Sequence, residues 1–526
     1  MNFNSAFRKD PRSRFYRPVR KVIFSVKVDH AEALENNTAF QNVIHYKPEH
    51  VIIHPGGSMI LDFGSAFHGG IRLHPYTPDA ELRIKFGESV SETLGKSDQD
   101  CTRKDALLEL PNYGQFEYGN TIFRFVRISN ESNQDVSIQS LIGVALERDI
   151  EVTGSFESSD ERLNRIWKTA VRTVHLCMQD YIYDGAKRDR IVWMGDMHPE
   201  IKTILCAFSD TSVIRDSLDF LIRQTPPDEP MNQTATYSCW FIIGLWDYLC
   251  ASGDIEFIRS NAAYIRKMLE TYRSFILENG SENVPERRFL DWQNEDSPEA
   301  KHAGIQALLL WMMISGEKLL RIIGEDTDGI AQAQKLLRTH VPDPNGRKAP
   351  AALLTLMGLA DRRDVLEQDP FKNVSTFYGY YMLQAKRTIP ALELIRKYWG
   401  AMLDLGATSF WEDFNLDWTE NAFGIDSMPV PGKKDIHADF GNYCYIGLRH
   451  SLSHGWSSGP APFLSERILG VRCVAPGCIT VKPDLGDLEF VRGTVPSPCG
   501  LIRIEADRSG NVKTEIPSGL KVVSED

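Results

Sequence analysis

Between two helical patterns lies the run Tyr183-Asp184-Gly185-Ala186-Lys187-Arg188-Asp189-Arg190-Ile191-Val192-Trp193-Met194-Gly195-Asp196. It is short, non-periodic and dense in Asp, cations, Trp and Gly. Such a loop makes poor core and good ligand-holding surface, because carboxylates and Arg grip hydroxyl groups in pairs and Trp covers the apolar face of a sugar. Its plainest alternative is a solvated, salt-bridged turn. Three further stretches carry the same chemistry: Phe289-Leu290-Asp291-Trp292 with Asn294, Glu295 and Asp296 behind it; Gly406-Ala407-Thr408-Ser409-Phe410-Trp411-Glu412-Asp413-Phe414 with Asp417-Trp418; and His450-Ser451-Leu452-Ser453-His454-Gly455-Trp456-Ser457-Ser458-Gly459-Pro460. Cleaving a glycosidic bond needs two carboxyl groups, one protonated and one ionised. Acidic residues alternating with Trp on loops meet that need. Singly, each stretch also reads as caps, core aromatics or satisfied ion pairs.

The totals narrow the field. At 526 residues the chain exceeds one ordinary domain, and its 42 % hydrophobic and 25 % charged content is that of a globular protein. A net charge of −12 argues against nucleic acid and anionic membranes as partners and favours a neutral small-molecule substrate. Nine Cys without a C-x-x-C pair indicate neither a disulfide framework nor a zinc ribbon. His450 and His454 stand four apart, a metal-pair spacing, but no H-E-x-x-H frame accompanies them, so no metal and no cofactor is expected. The basic, apolar-poor stretch from Met1 to Arg20 is not a secretory signal, and no run is read as a membrane span. A reduced, cytoplasmic protein is the expectation.

Three regions must position these loops. From about 20 to 147, short β-rich runs such as Lys21–Val26, Val51–His54, Met59–Phe63, Leu82–Phe86 and Thr121–Ile128 predict a β-sandwich, with Ser89 to Lys104 as a long loop. At Ser158-Ser159-Asp160-Glu161 a capping box opens a helical pattern carried by Leu163, Ile166, Trp167, Ala170, Val171 and Val174. Helical patterns then run to about Leu469, clearest at Thr236–Ala251, Ile255–Glu278, Pro298–Gly324, Gly329–Arg338, Phe371–Ala385, Ile389–Leu405 and Asp439–His454. Ten to twelve helices suit an α/α toroid with its pocket among the inner-ring loops, a fold-level inference. Beyond Gly470 the pattern returns to β. The expected organisation is thus 1–150 N-terminal β-sandwich, 151–469 (α/α)6-barrel domain and 470–526 C-terminal β-sheet domain.

With these motifs in this order the chain resembles glycoside hydrolase family 78, the inverting α-L-rhamnosidases. The opening run resembles that family's Asp-x3-Arg-Asp-Glu-Arg-x-Gly-Trp-x-Gly-Asp signature; Gly406–Glu412 resembles its Gly-Ala-Thr-x2-Trp-Glu segment, which carries the general base; Ser451–His454 resembles its Ser-Leu-Asn-His segment. Val152–Phe156 leading into Leu163–Trp167 resembles its entry to the barrel. One departure stands out: Arg188-Asp189 runs directly into Arg190, without the Glu that serves as the usual general acid. Some members resemble this shorter variant and use Asp. The resemblance therefore implies Asp189 as general acid and Glu412 as general base. It also implies Asp184, Arg188, Asp196, Asp291 and His454 as ligands of rhamnose hydroxyls, and Trp193, Trp240 and Trp292 as pocket walls, with Trp240 placed by spacing alone. Small rhamnosides, disaccharides or plant glycosides, are the implied substrates, and relatives of the short form imply a homodimer. Two other readings stay open: another (α/α)6 glycosidase of different sugar specificity, and a carbohydrate-binding protein that keeps the pocket without turnover.

Overall fold

The computed structural model describes residues 8–43, 50–95, 104–111, 114–285 and 287–524. Seven strands, β1 (Arg12–Arg17), β2 (Lys21–Asp29), β3 (Val51–Pro75), β4 (Glu81–Gly87), β5 (Asp105–Glu109), β6 (Phe116–Ser129) and β7 (Val136–Arg148), form one hydrogen-bonded system in the order β1-β7-β3-β6-β4-β5, with β2 also on β3. The expected runs Val51–His54 and Met59–Phe63 are pieces of the single β3, whose register on β6 slips between Asp62 and Phe67. Such irregularities bend a strand and re-aim its side chains. Phe63, Phe67, Phe86 and Phe123 pack within the sheet's own apolar core.

The segment Ser89 to Lys104 is not simply a loop. Ser89 caps a helix over Val90–Leu94 by accepting the Glu92 N–H at 3.0 Å, and residues 96–103 lie outside those described. Ser89-x-x-Glu92 is a capping signal that the polar composition concealed.

The helical region opens with Ser155–Ser158 (β8), which pairs antiparallel with Phe490–Ser497, so the start of this region is hydrogen-bonded to the chain's C-terminal strands. Asp160, not Ser158, caps the helix Glu161–Cys177, accepting the N–H groups of Arg162 and Leu163. Helices Met194–Ala207, Ser212–Gln224, Ala235–Ser252, Ile255–Ser260, Ala262–Arg273, Pro298–Ile322, Asp328–Leu337, Lys348–Leu356, Gly379–Ala385 and Thr388–Leu394 follow, the last continuing through one wider turn to Asp404. Ala235–Ser252 packs on both Met194–Ala207 and Pro298–Ile322, and both of its faces are apolar for that reason. Pro298–Ile322 is long and apolar enough by composition to cross a membrane, contrary to expectation, yet 78 % of its most apolar window is buried against neighbouring elements, as in a core helix.

Two expected helices differ. Only Gly379–Ala385 of Phe371–Ala385 is helical. Asp439–His454 is an irregular loop with one short turn at Gly447–Arg449. Left-handed backbone at Gly441 and Tyr443 interrupts its apparent period. The C-terminal strands make two small sheets, one of Val471–Ala475, Cys478–Val481 and Lys521–Val522, the other of Phe490–Ser497, Gly500–Asp507 and Val512–Glu515 with β8. Their apolar residues join the helical core through Phe156, Leu469 and Val491.

Candidate active site

Three of the four acid-and-aromatic loops are stitched together by main-chain hydrogen bonds. Ala186 N–H donates to Ser453 O at 3.0 Å, Gly455 N–H to Asp184 O at 2.9 Å, His454 N–H to Phe410 O at 3.0 Å and Glu412 N–H to Ser451 O at 2.9 Å. The Glu412 carbonyl is held further by the Trp456 indole N–H at 2.9 Å and the Thr376 hydroxyl at 2.5 Å. The loops are long and irregular, but the shared backbone bonding fixes their side chains as firmly as secondary structure would.

They enclose a cavity of about 310 Å³ lined by Asp184, Arg188, Asp189, Trp193, Asp196, Glu412 and His454, with Trp292 and Phe289 from the fourth loop. Larger clefts of about 540 and 920 Å³ lie on the N-terminal sheet and against the C-terminal strands; the first touches Lys187 and Arg190 at the back of the same loop. Neither gathers the carboxylates and Trp residues that converge in the smaller one.

Glu412 is 2 % exposed and is gripped by the Arg188 guanidinium in a two-pronged fork, Nη1 to Oε1 at 2.9 Å and Nη2 to Oε2 at 2.6 Å. The Ser451 N–H adds a third bond to Oε2 at 3.2 Å. Burial pushes this carboxyl up to about 8, while Arg188 and the Ser451 amide pull it down. Arg188 itself lies over the Tyr445 ring at 5.1 Å. The imidazole Nε2 of His454 stands 3.4 Å from Glu412 and 3.9 Å from both Asp184 and Asp196. Burial, with Arg188 nearby, drives His454 well below its usual value, so the ring is neutral. Burial likewise raises Asp184 well above the carboxylate range, helped by Asp196, and raises Asp196 to about 7.

Asp196 sits in the first turn of Met194–Ala207, whose leading N–H is capped by Asn232 Oδ1 at 2.9 Å. Tyr237 donates its hydroxyl to Asp196 at 3.3 Å. Gly195 is required for that approach, since a Cβ there would meet the Tyr237 ring at 2.3 Å. Beneath the floor, Glu200 is fully buried with neither carboxyl oxygen hydrogen-bonded. Its Oε1 fills the space a side chain at Gly455 would need, 1.5 Å from where a Cβ would stand.

Asp189 differs from these groups: it is exposed, at the cavity's edge. It and Arg190 adopt consecutive left-handed conformations, φ 53° and 55°, and Arg190 N–H closes back on Arg188 O at 2.7 Å. Two non-Gly residues in this region are uncommon. Arg190 secures the turn from outside, donating to Asn120 O at 2.9 Å and meeting His68 Nε2 at 3.0 Å.

Two expected pocket residues stand elsewhere. Trp240 is not a wall: it has no exposure and stacks on His198 and Tyr381, each at 4.8 Å, inside the helical core. It belongs to a helix buried on all sides, which spacing alone could not reveal. Asp291 does not line the cavity. It is 4 % exposed behind Trp292, its Oδ2 unbonded, and burial pushes it to about 7. Trp292 does reach the cavity and stacks on Tyr443 at 6.2 Å. Lining residues that sequence reasoning missed are Thr234, Tyr237, Arg287, Cys444, Tyr445, Arg449 and Trp456. Trp456 lay inside a quoted polar cluster. Tyr445 and Arg449 were hidden by the helical reading of Asp439–His454.

Fold and pocket together set a cavity lined by carboxyls, Arg and Trp on a helical region flanked by sheets, and comparison with known proteins agrees in fold. Residues 151–329 match the family model described as the bacterial α-L-rhamnosidase 6 hairpin glycosidase domain. A glycoside hydrolase family 78 rhamnosidase of Bacillus sp. GL1 superposes with a TM-score of 0.73 at 20 % identity, over 91 % of this chain and 54 % of that one. A rhamnosidase from Klebsiella oxytoca with rhamnose bound gives 0.68 at 22 %, over 86 % and 95 %. The Streptomyces avermitilis α-L-rhamnosidase complexed with L-rhamnose gives 0.72 at 16 %, over 97 % and 49 %. The chain thus spans about half the length of the first and third of these and nearly all of the second. No curated protein sequence matches it. The resemblance to glycoside hydrolase family 78 is borne out in fold and in the family model.

Proposed function

We propose that this protein is an inverting α-L-rhamnosidase that removes terminal non-reducing α-L-rhamnose from small glycosides, with its helices arranged as an (α/α)6 toroid over 151–469 between the sheets of 1–150 and 470–526. Asp189 gives its proton to the leaving oxygen. Glu412, ionised, draws a proton from the water that attacks the anomeric carbon on the opposite face. The observation that carries this reading is the pairing, in one small cavity, of an exposed carboxyl at the rim with a buried, Arg-forked carboxyl at the floor. Inverting enzymes hold such a pair about 6.5–9.5 Å apart so that water fits between. The Arg188 fork supports the ionised form of Glu412 that a base requires. Asp184, Asp196 and His454 present hydroxyl-binding atoms to the sugar, and Trp193 and Trp292 supply apolar cover, including for the C6 methyl group.

The test is release of p-nitrophenol from its α-L-rhamnoside against a panel of other p-nitrophenyl glycosides, with the first-formed anomer followed by NMR. Turnover of the rhamnoside with initial release of the inverted sugar supports the proposal. A retained anomer, or a preference for another sugar, overturns it.

A further inference from the structure

We infer that the mouth of this cavity is a subsite for an anionic leaving group, so that the preferred substrate is α-L-rhamnose linked to a uronic acid. The inference rests on the rhamnosidase reading and names its substrate class. The cavity has two ends of different character. Asp184, Asp196, Tyr237, Glu412, Tyr445, His454 and Trp456 are all buried and form the floor. Asp189, Arg287 and Cys444 are exposed and Arg449 is half-buried, and these form the mouth. A leaving group lies beside the acid that protonates it, which puts it at the mouth with Asp189.

The charge at that end is opposite in sign to the protein's net −12. Arg188 is committed to Glu412, but Arg287 and Arg449 are not paired with acids: among the described residues neither has a carboxylate within 4.0 Å. Arg287 gives one hydrogen bond to the Gln233 side chain, and Arg449 gives its Nε–H to Cys444 O at 3.0 Å. Arg14, Arg83 and Arg396 on the surface do find acids, in Glu117, Glu131 and Asp487. Two guanidinium groups that line one cavity and face no acid among the described residues offer N–H donors to a planar carboxylate. Arg287 and its partner Gln233 also share left-handed backbone, φ 63° and 59°, on loops that meet at this rim. Backbone strain of that kind clusters at ligand clamps. The floor, crowded with carboxyls, rejects an anion and takes the neutral deoxy sugar. The same pattern therefore sets which end of the substrate carries the charge.

The experiment compares kcat/KM of the whole protein on α-L-rhamnosyl-D-glucuronate and α-L-rhamnosyl-D-glucose of matched linkage, with p-nitrophenyl α-L-rhamnoside as a third substrate. The expected result is a preference of at least about fivefold for the uronate at low salt, shrinking at high salt as rim charges are screened. Arg287→Gln and Arg449→Gln each lower that ratio through KM, and the Lys variants keep part of it. Because the ratio is taken on one preparation, any loss of folded protein cancels. Equal rates, or a preference for the glucoside, while the nitrophenyl rhamnoside is turned over, overturn this inference alone. No turnover of any rhamnoside overturns the functional reading beneath it.

Discussion

Asp189 and Glu412 carry opposite demands, and their surroundings let each be tested separately. Asp189→Asn removes the proton donor, which matters most when the leaving oxygen is a poor one. The variant should lose about 10²- to 10⁴-fold on a rhamnosyl disaccharide and far less on the p-nitrophenyl rhamnoside, whose leaving group departs readily without help. Equal losses on both would deny Asp189 the acid's role. Glu412 acts ionised, and burial holds it near 8. A base with a raised pKa is inactive below it, so kcat/KM should climb about tenfold per pH unit on an ascending limb set by Glu412, with the need for a protonated acid closing the profile on the alkaline side. An ascending limb centred near the ordinary carboxyl value of 4.5 would contradict this. Removing the fork with Arg188→Met takes away the cation that opposes the upward shift, and should move the limb further up.

Between residues and fold stands a buried knot joining the N-terminal sheet to the central loop. The Lys187 ammonium has no exposure and donates to Leu448 O at 2.6 Å and His450 O at 3.0 Å. It meets Glu92 at 2.8 Å and Glu88 at 3.6 Å, both on or beside the helix Val90–Leu94. Of this buried pair Glu88 is pushed up by burial, whereas the nearby lysines hold Glu92 down despite its own burial. Glu92 is thus the carboxylate held ionised beside Lys187. Glu92→Gln leaves the cation without its partner, a loss of about 3–5 kcal/mol for a buried pair. Its thermal midpoint should fall by several degrees, and because Arg188 adjoins Lys187, kcat should fall as well. An unchanged midpoint would show that Glu88 takes over the charge. None of this knot was legible in the sequence. Motifs placed the Glu412 and Asp184–Asp196 loops because they sit next to one another in the cavity and share one chemistry. Glu88 and Glu92 lie roughly a hundred residues upstream of Lys187 in a stretch that reads as polar loop. Their role depends on a tertiary contact that local pattern does not encode. The β and helical regions were legible because their periods differ. The failure at Asp439–His454 came from left-handed backbone at Gly441 and Tyr443, which breaks a period that the spacing of apolar residues suggests.

Across the whole molecule, buried titratable groups set a pH range for stability that differs from the one for activity. Burial raises Asp196 and Asp291 to about 7 and Glu412 to about 8, and lifts Asp184 and Glu200 well above their usual values. Each binds a proton in the folded state that the unfolded chain has already lost above about pH 4.5. Stability from these groups therefore falls as pH rises through their folded values. The buried, neutral His198, His437, His450 and His454 act in the other direction, each lowered by desolvation. The unfolded chain protonates them below about pH 6.5, so they cost stability only on the acid side. Glu147, held near 2 by Arg172 against its own burial, keeps its contribution throughout this range. Between about pH 4.5 and 6.5 the two sets oppose one another, and above pH 6.5 only the carboxyl loss remains, so the thermal midpoint should decline from pH 6.5 to pH 8. A midpoint that keeps rising through pH 8 would mean that the floor carboxyls are ionised in the folded protein. Glu200→Gln isolates one of these carboxyls, and it should flatten the decline with rising pH. Activity, which needs Glu412 ionised, then rises over the same pH range in which stability falls. The carboxyls crowded beneath the sugar site destabilise the fold in the pH range where the proposed base works, a stability–function conflict located in named residues.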